Sequence, residues 1–253
     1  MIKNKFIILS TCYNVEQWVR TNLEILRAQS YKNFIAVYVN DKSSDSTPNI
    51  IQEYESLDSR FHKIDNYNNG SQSKAYMCGL DWILRDLDVS DNDIIVEIDG
   101  DDWLSSVFVL DYLNLVYQNP NIWMTFGQYQ IFPTGATGGH YDMLLAPTTE
   151  CRLHPFAYSH LKTYKLGLLK KVNRNDLINP ATNEYYSAAW DHVLCIPMVE
   201  MAGNNKIHRC EDVLYILNRH PELQNEGSIN TSTQKLIEQQ IRNKNSYELI
   251  YNL

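Results

Sequence analysis

The sequence predicts an α/β protein with a mainly parallel sheet flanked by helices. Three observations carry that expectation. Short apolar, β-rich runs alternate with segments of helical period through the first half of the chain. The runs are apolar throughout, as strands covered on both faces are. Polar clusters follow the first, second and fourth runs, where ligands bind in parallel sheets.

Phe6 to Ser10 is the first strand, and Asn14 follows as a possible N-cap. Val15, Trp18, Val19, Leu23 and Leu26 then fall at helical spacing. Phe34 to Val39 is the second strand, and Asp45-Ser46-Thr47-Pro48 opens a helix with Pro in its first turn. Phe61 to Ile64 is a third strand, and Ser73 to Leu87 reads as a helix. Ile94 to Ile98 is a fourth strand ending in Asp99-Gly100-Asp101-Asp102, before an amphipathic helix over 107–117. Short links between such units imply right-handed crossovers. Thr11 to Asn14, Asn40 to Thr47 and Asp99 to Asp102 then converge on one crevice. The second half is less regular: a strand over 122–132, a Gly- and Thr-rich loop over 133–147, helices over 159–172 and 188–203, a strand over 213–217, a polar stretch over 221–231 and a closing helix over 234–253.

The chain has 253 residues and a net charge of -8, from 22 basic and 30 acidic side chains. A chain this long buries about 70% of its unfolded surface and needs no covalent staple. The acidic balance argues against nucleic-acid partners. No run approaches the length of a membrane span, and the apolar stretch near residue 6 is too short for a signal peptide. Cys12, Cys78, Cys151, Cys195 and Cys210 are odd in number and widely spaced, which fits a reducing cytoplasm. One domain over 1–253 is expected, with a ligand-binding half to about 120, a second half to about 230 and a closing helix.

Carboxylates packed at the end of a buried strand repel one another, a cost that a cation offsets. Oxygen-only ligands suit Mn²⁺ or Mg²⁺. An isolated Asp-Gly-Asp-Asp also reads as a solvated turn. A calcium EF-hand is excluded, because Leu110 stands at the closing position of such a loop.

Thr11-Cys12-Tyr13-Asn14, the run Asp41-Lys42-Ser43-Ser44-Asp45-Ser46-Thr47, and Glu97-Ile98-Asp99-Gly100-Asp101-Asp102 together resemble the donor-binding half of family 2 glycosyltransferases. Asn69-Gly70 with Lys74-Ala75 and Gly79 is similar to a further stretch of that family, with one extra residue. The resemblance covers roughly residues 5 to 120. The family's frequent Pro after the acidic run is replaced by Trp103.

The resemblance implies a GT-A, Rossmann-like fold and an inverting transfer of one hexose or N-acetylhexosamine from a nucleotide sugar. Its donor would be a UDP-sugar; the residues alone also permit another pyrimidine or guanine. The acceptor would be a glycan, a lipid-linked sugar or a protein. Thr11 and Tyr13 would line the base pocket, with Asn14 beside them. Asp41 would accept from the base, Asp99 would face the ribose, and Lys74 would reach base or phosphate. Asp101 and Asp102 would hold the metal. The base, an Asp late in the chain in that family, would be Asp191 at the start of an apolar helix, with Glu200 as the alternative. Both also read as structural carboxylates. His160, Lys162 and Trp190 are candidates for acceptor or diphosphate contact, and His208 or His220 for completing a metal shell. The closing helix lacks a basic face, so packing or a homodimer contact is expected of it.

A non-catalytic nucleotide-sugar-binding module is the main alternative. A template-directed polymerase conflicts with the net charge and chain length, and a nucleotidylyltransferase with the missing Gly-rich N-terminal loop. The family's processive synthases carry Q-x-x-R-W and membrane spans, and this sequence has neither.

Overall fold

The structure, a computed structural model, describes residues 2–67, 70–139, 148–222 and 231–253. Asn69, residues 140–147 of the expected loop and residues 223–230 of the expected polar stretch lie outside them. In chain order the elements are β1 (Phe6–Cys12), α1 (Val19–Arg27), β2 (Phe34–Asn40), α2 (Thr47–Leu57), β3 (Phe61–Asp65), α3 (Gln72–Asp86), β4 (Ile94–Glu97), β5 (Trp103–Leu104), α4 (Val109–Val116), β6 (Met124–Phe132), β7 (Thr137–Gly138), β8 (Thr163–Lys165), α5 (Leu166–Lys170), β9 (Ile178–Asn179), β10 (Glu184–Tyr185), α6 (Trp190–Ala202), β11 (Ile207–Asn218) and α7 (Thr231–Arg242).

Among the described residues, one nine-stranded sheet runs in the order β3-β2-β1-β4-β8-β6-β11-β5, with β7 on β6. The first four strands are mutually parallel, Phe6 pairing with Phe34 on one side and with Ile94 on the other. The chain winds outward from β1 to β3 and returns to β4 on the far side of β1. The loops after β1 and β4 therefore diverge, and ligands bind in such a gap.

Side chains alternate across the sheet. Phe6, Ile8, Ala36 and Val96 pack under α1, α2 and α4, while Ile7, Leu9, Val37 and Ile95 pack under α3, α5 and α6. Val19, Leu23 and Leu26 form the buried stripe of α1. Helix α3 lies close to the sheet because residue 79 is glycine: a Cβ there would meet Leu9 Cδ1 at 2.5 Å and Val39 Cγ2 at 2.6 Å.

Two expected helices differ, and the two-residue strands β5, β7, β9 and β10 were not expected. The helix expected over 159–172 is mostly strand and loop: Tyr164 pairs with both Ile95 and Met124, so β8 fills the gap between β4 and β6. Only 166–170 is helical. The closing helix ends at Arg242, where an Asn-Lys-Asn-Ser run offers competing side-chain hydrogen bonds. Beyond it the chain docks on α6 through Tyr247 N–H to Glu200 (3.0 Å) and Ile250 N–H to the Met201 carbonyl (2.9 Å). Ile237 and Ile241 of α7 are buried within the chain, while Leu236 is exposed. No described helix is long and apolar enough to cross a membrane.

Candidate functional site

The carboxyl ends of β1, β2, β4 and β11 open on a pocket of about 580 Å³. From β1 it receives Thr11 and Tyr13, the tyrosine 48% exposed. The loops around it are tied to that strand: Asp41 N–H donates to the Cys12 carbonyl (2.8 Å), and Gly100 N–H to the Thr11 carbonyl (3.0 Å). Gly100 is required by this approach, because a Cβ would lie 2.4 Å from Cys12 Sγ.

Asp41 sits at the pocket wall, where its Oδ1 accepts from Asn66 (2.7 Å). Burial pushes its carboxyl up, while Asn66 and the Gly70 N–H pull the other way. The turn after β4 is laced from three sides. Asn22 donates to the carbonyls of Asp99 (3.0 Å) and Asp102 (2.7 Å), and Asn218 donates to that of Asp101 (3.1 Å). Asp99 accepts from Gln72 (2.7 Å). Burial, then the neighbouring Asp101 charge, push the Asp99 carboxyl up to about 6.

Asp101 and Asp102 differ in environment. Asp102 is 2% exposed, and its two oxygens accept from Asn218 N–H (2.7 Å) and the Tyr215 hydroxyl (2.7 Å). It lines the pocket but braces the turn with both oxygens, while Asp99 and Asp101 line the pocket beside it. Among the described residues no three His, Cys, Asp or Glu side chains form a ready cage. Two neighbouring carboxylates fit Mn²⁺ or Mg²⁺, because burial and then the Asp101 charge raise Asp99, and a divalent ion would offset both.

Asp191 reaches the pocket from the first turn of α6, its side chain 44% exposed. Ala189, just before this helix, takes a left-handed conformation (φ 53°) that turns the chain toward the pocket. Asp191 is ion-paired with Lys162. Burial pushes its carboxyl up, but Lys162 outweighs this and holds it below the ordinary range. His160 lines the pocket and stacks on Tyr215, with ring centroids 4.6 Å apart. Burial and Lys162 push its imidazole down to about 3, so it is neutral.

Several expected site residues lie elsewhere. Asn14 does not line the pocket; it knots the first two loops, its Oδ1 accepting from Ser44 N–H (2.8 Å). Lys74 is ion-paired with Glu184, but it stands beside Gly70 of the pocket lining and its charge pulls the Asp41 carboxyl down. Lys162 is not part of the pocket lining and lies between Asp191 and Glu97. Trp190 is core, packed on Tyr76 at 5.5 Å. Glu200 is 1% exposed and paired with Arg152 through both oxygens (2.7 and 2.8 Å), which removes it as a base. His208 begins β11, ten residues before its pocket end, roughly 30 Å away by strand rise. His220 packs against Trp18 and Phe132, outside the pocket lining.

Gln72 and Arg219 line the pocket without having been singled out in the sequence, and Glu97 was quoted in a motif without a role. Arg219 was within reach of the strand-end rule, since β11 runs parallel to β6 and its carboxyl end also faces the crevice. The direction of β11 was the missing piece.

The family model described as Glycosyl transferase family 2 matches residues 7–187. EpsH of Bacillus subtilis (strain 168) is 34% identical over 97 residues, 38% of this chain and 26% of that protein. S. aureus TarS 1–349, crystallised with UDP-GlcNAc, aligns with a TM-score of 0.63 at 18% identity, covering 85% of this chain and 58% of the other. The mannosyltransferase PcManGT from Pyrobaculum calidifontis, crystallised with GDP-Man and Mn²⁺, aligns with a TM-score of 0.59 at 13% identity, covering 85% and 57%. The chain thus spans about a quarter of that curated relative and somewhat over half of the two solved chains. Both solved likenesses show the same fold, and the fold of this chain is that of GT-A glycosyltransferases.

Proposed function

The chain belongs to glycosyl transferase family 2, and from that premise we propose that it moves one sugar from a nucleoside-diphosphate sugar, a UDP-sugar first, to an acceptor hydroxyl by single displacement with inversion. The observation that supports this best is the placing of carboxylates around one pocket: Asp41 deep on one wall, Asp99 and Asp101 at the β4 end, and Asp191 opposite on α6.

Thr11, Tyr13 and Asp41 hold the nucleobase. Tyr13 is exposed and can cover a ring, and Asp41 accepts its N–H. Asp101, with Asp99, would hold Mn²⁺ or Mg²⁺, which when bound supplies charge stabilisation for the leaving diphosphate. The acceptor oxygen attacks the anomeric carbon, its proton passes to Asp191, and the bond to the diphosphate breaks with its electrons. A carboxylate base of this kind is worth roughly 10²–10⁴ in rate. Asp191 suits the role because Lys162 keeps it ionised while its side chain stays open to the pocket. The acceptor enters beside His160 and Arg219; glycan, lipid-linked sugar and protein hydroxyls all present the same attacking group. The five unpaired cysteines support a cytoplasmic setting.

The test is a thermal-shift titration with UDP, GDP and CDP, with Mn²⁺ or with chelator, on the wild type and Asp101→Ala. At a hundred times its dissociation constant a ligand stabilises by about 2.7 kcal/mol, roughly 5–10 °C here. The expected result is a metal-dependent shift with UDP that Asp101→Ala loses. A shift with GDP instead changes the donor base; no shift with any nucleotide overturns the donor site. Binding without turnover against a panel of acceptors would favour the non-catalytic module.

A further inference from the structure

Lys162 is a cation with almost no water: its side chain is 4% exposed. Three elements meet at its ammonium. The β4–β8 pairing carries on past the strand ends, where Glu97 N–H donates to the Lys162 carbonyl (3.2 Å) and fixes the lysine beside β4. Glu97 Oε2 lies 3.8 Å from the ammonium and finds no hydrogen-bond partner. From the third element, α6, Asp191 closes a tighter ion pair on the same nitrogen. A buried ammonium costs free energy unless paired. This one is paired twice, once with a carboxylate inside the protein and once with a carboxylate open to the pocket.

We propose that Lys162 is a positioning residue, aiming the Asp191 carboxylate into the pocket through their ion pair, with Glu97 anchoring the ammonium from below. The inference rests on the reading of Asp191 as the base. It differs from the expectation that Lys162 touches acceptor or diphosphate, since the lysine is not at the pocket surface.

The groups facing Asp191 are Lys162 and His160 ahead of β8, Glu97 and Asp99 at the end of β4, and His192 and Cys195 on α6. Burial alone would push the Lys162 ammonium down, but Asp191 and Glu97 outweigh it and hold it above its ordinary value. Of the two carboxylates Asp191 is the nearer to the ammonium, and Glu97 stands at 3.8 Å behind it.

The experiment uses the full, metal-free chain with ¹³C-labelled aspartate. The Asp191 carboxyl resonance is assigned by its loss in Asp191→Asn and followed through a pH titration in the wild type, Lys162→Met and Lys162→Arg. A Glu97→Gln/Lys162→Met double variant removes the buried carboxylate that the single variant strands, and serves if the single one does not fold. The Asp191 midpoint is expected to rise by about one pH unit or more without the lysine, and to stay near the wild-type value with arginine. A second readout is kcat and KM for UDP release from UDP-N-acetylglucosamine with Mn²⁺, or for GDP release from GDP-mannose if guanine is the base bound. Lys162→Met should lower kcat about tenfold or more, bring an acid limb to the kcat profile and leave KM within about threefold, with arginine restoring both. An Asp191 midpoint that does not move in Lys162→Met or in the double variant overturns the inference. If Asp191→Asn loses turnover while Lys162→Met keeps wild-type kcat, the inference falls and the base assignment stands. If Asp191→Asn keeps wild-type turnover, both fall.

Discussion

At His160, burial and a neighbouring cation act in the same direction. The imidazole titrates near 3 in the folded chain against an ordinary value of 6.5, so between these values the unfolded chain binds the extra proton. Stability from this residue is present above about pH 6.5 and is lost as pH falls toward 3. His160→Phe keeps a ring over Tyr215 and removes the proton. Its melting temperature should match the wild type at pH 8 and exceed it at pH 5, as differential scanning calorimetry would show. Glu97 works with the opposite sign: raised to about 7, it costs stability as pH rises from its ordinary range toward 7. These effects could not be read from residue types. The Glu97-Ile98-Asp99 run was visible as a motif, but the depth of Glu97 and the arrival of Lys162 beneath it depend on pairing between strands over sixty residues apart.

Among the elements, α6 carries the most consequence. Its existence was legible, because 190–202 is apolar on all sides and such a helix must be buried. Its entry was not, since nothing local marks Ala189 for a left-handed turn. An L-residue in that region costs roughly 1–2 kcal/mol. Ala189→Gly relieves this, and a rise of roughly 2–4 °C in melting temperature is expected, with turnover unchanged. Ala189→Pro demands a negative φ and must re-aim Asp191. Its expected phenotype is lost turnover with nucleotide binding retained, because Thr11, Tyr13 and Asp41 come from β1 and β2. Loss of both would mean that the helix entry also supports the donor wall. For β8 the local signal misled: Thr163-Tyr164-Lys165 before Leu-Gly-Leu-Leu reads as one amphipathic segment, and the open slot between β4 and β6 decides otherwise.

Across the whole molecule, the second half is held together by charge as well as by apolar packing. The Arg152 guanidinium pairs with Glu200 on α6 and donates to the Ile241 carbonyl on α7, and Glu200 also receives Tyr247 N–H from the chain end. Four distant segments thus meet at one buried pair. Arg152→Met leaves Glu200 charged and unpaired, a change that costs about 3–5 kcal/mol. Thermal melts should show a fall of roughly 6–20 °C. Adding Glu200→Met should recover much of it, since two apolar side chains replace the pair without stranding a charge. Nucleotide titrations below the melting point should be unaltered in both variants, because the pair lies outside the pocket. A loss of nucleotide binding at low temperature would show that Glu200 is not purely structural.

What the sequence by itself determined was the order of strands and helices through residue 120, apart from the short β5, and the end of the sheet at which the acidic and polar loops gather. Both follow from near-neighbour information: apolar periodicity sets the elements, and the handedness of crossovers puts their carboxyl ends on one edge. Only the tertiary structure decided what each of those side chains is bound to. Asp101 and Asp102 are adjacent in sequence, yet the second is bound by Tyr215 and Asn218 from β11. Asp191 and Glu200 share one helix, yet the first meets Lys162 at the pocket and the second meets Arg152 in the core. A carboxylate's role depends on what surrounds it, and those surroundings come from parts of the chain far away in sequence.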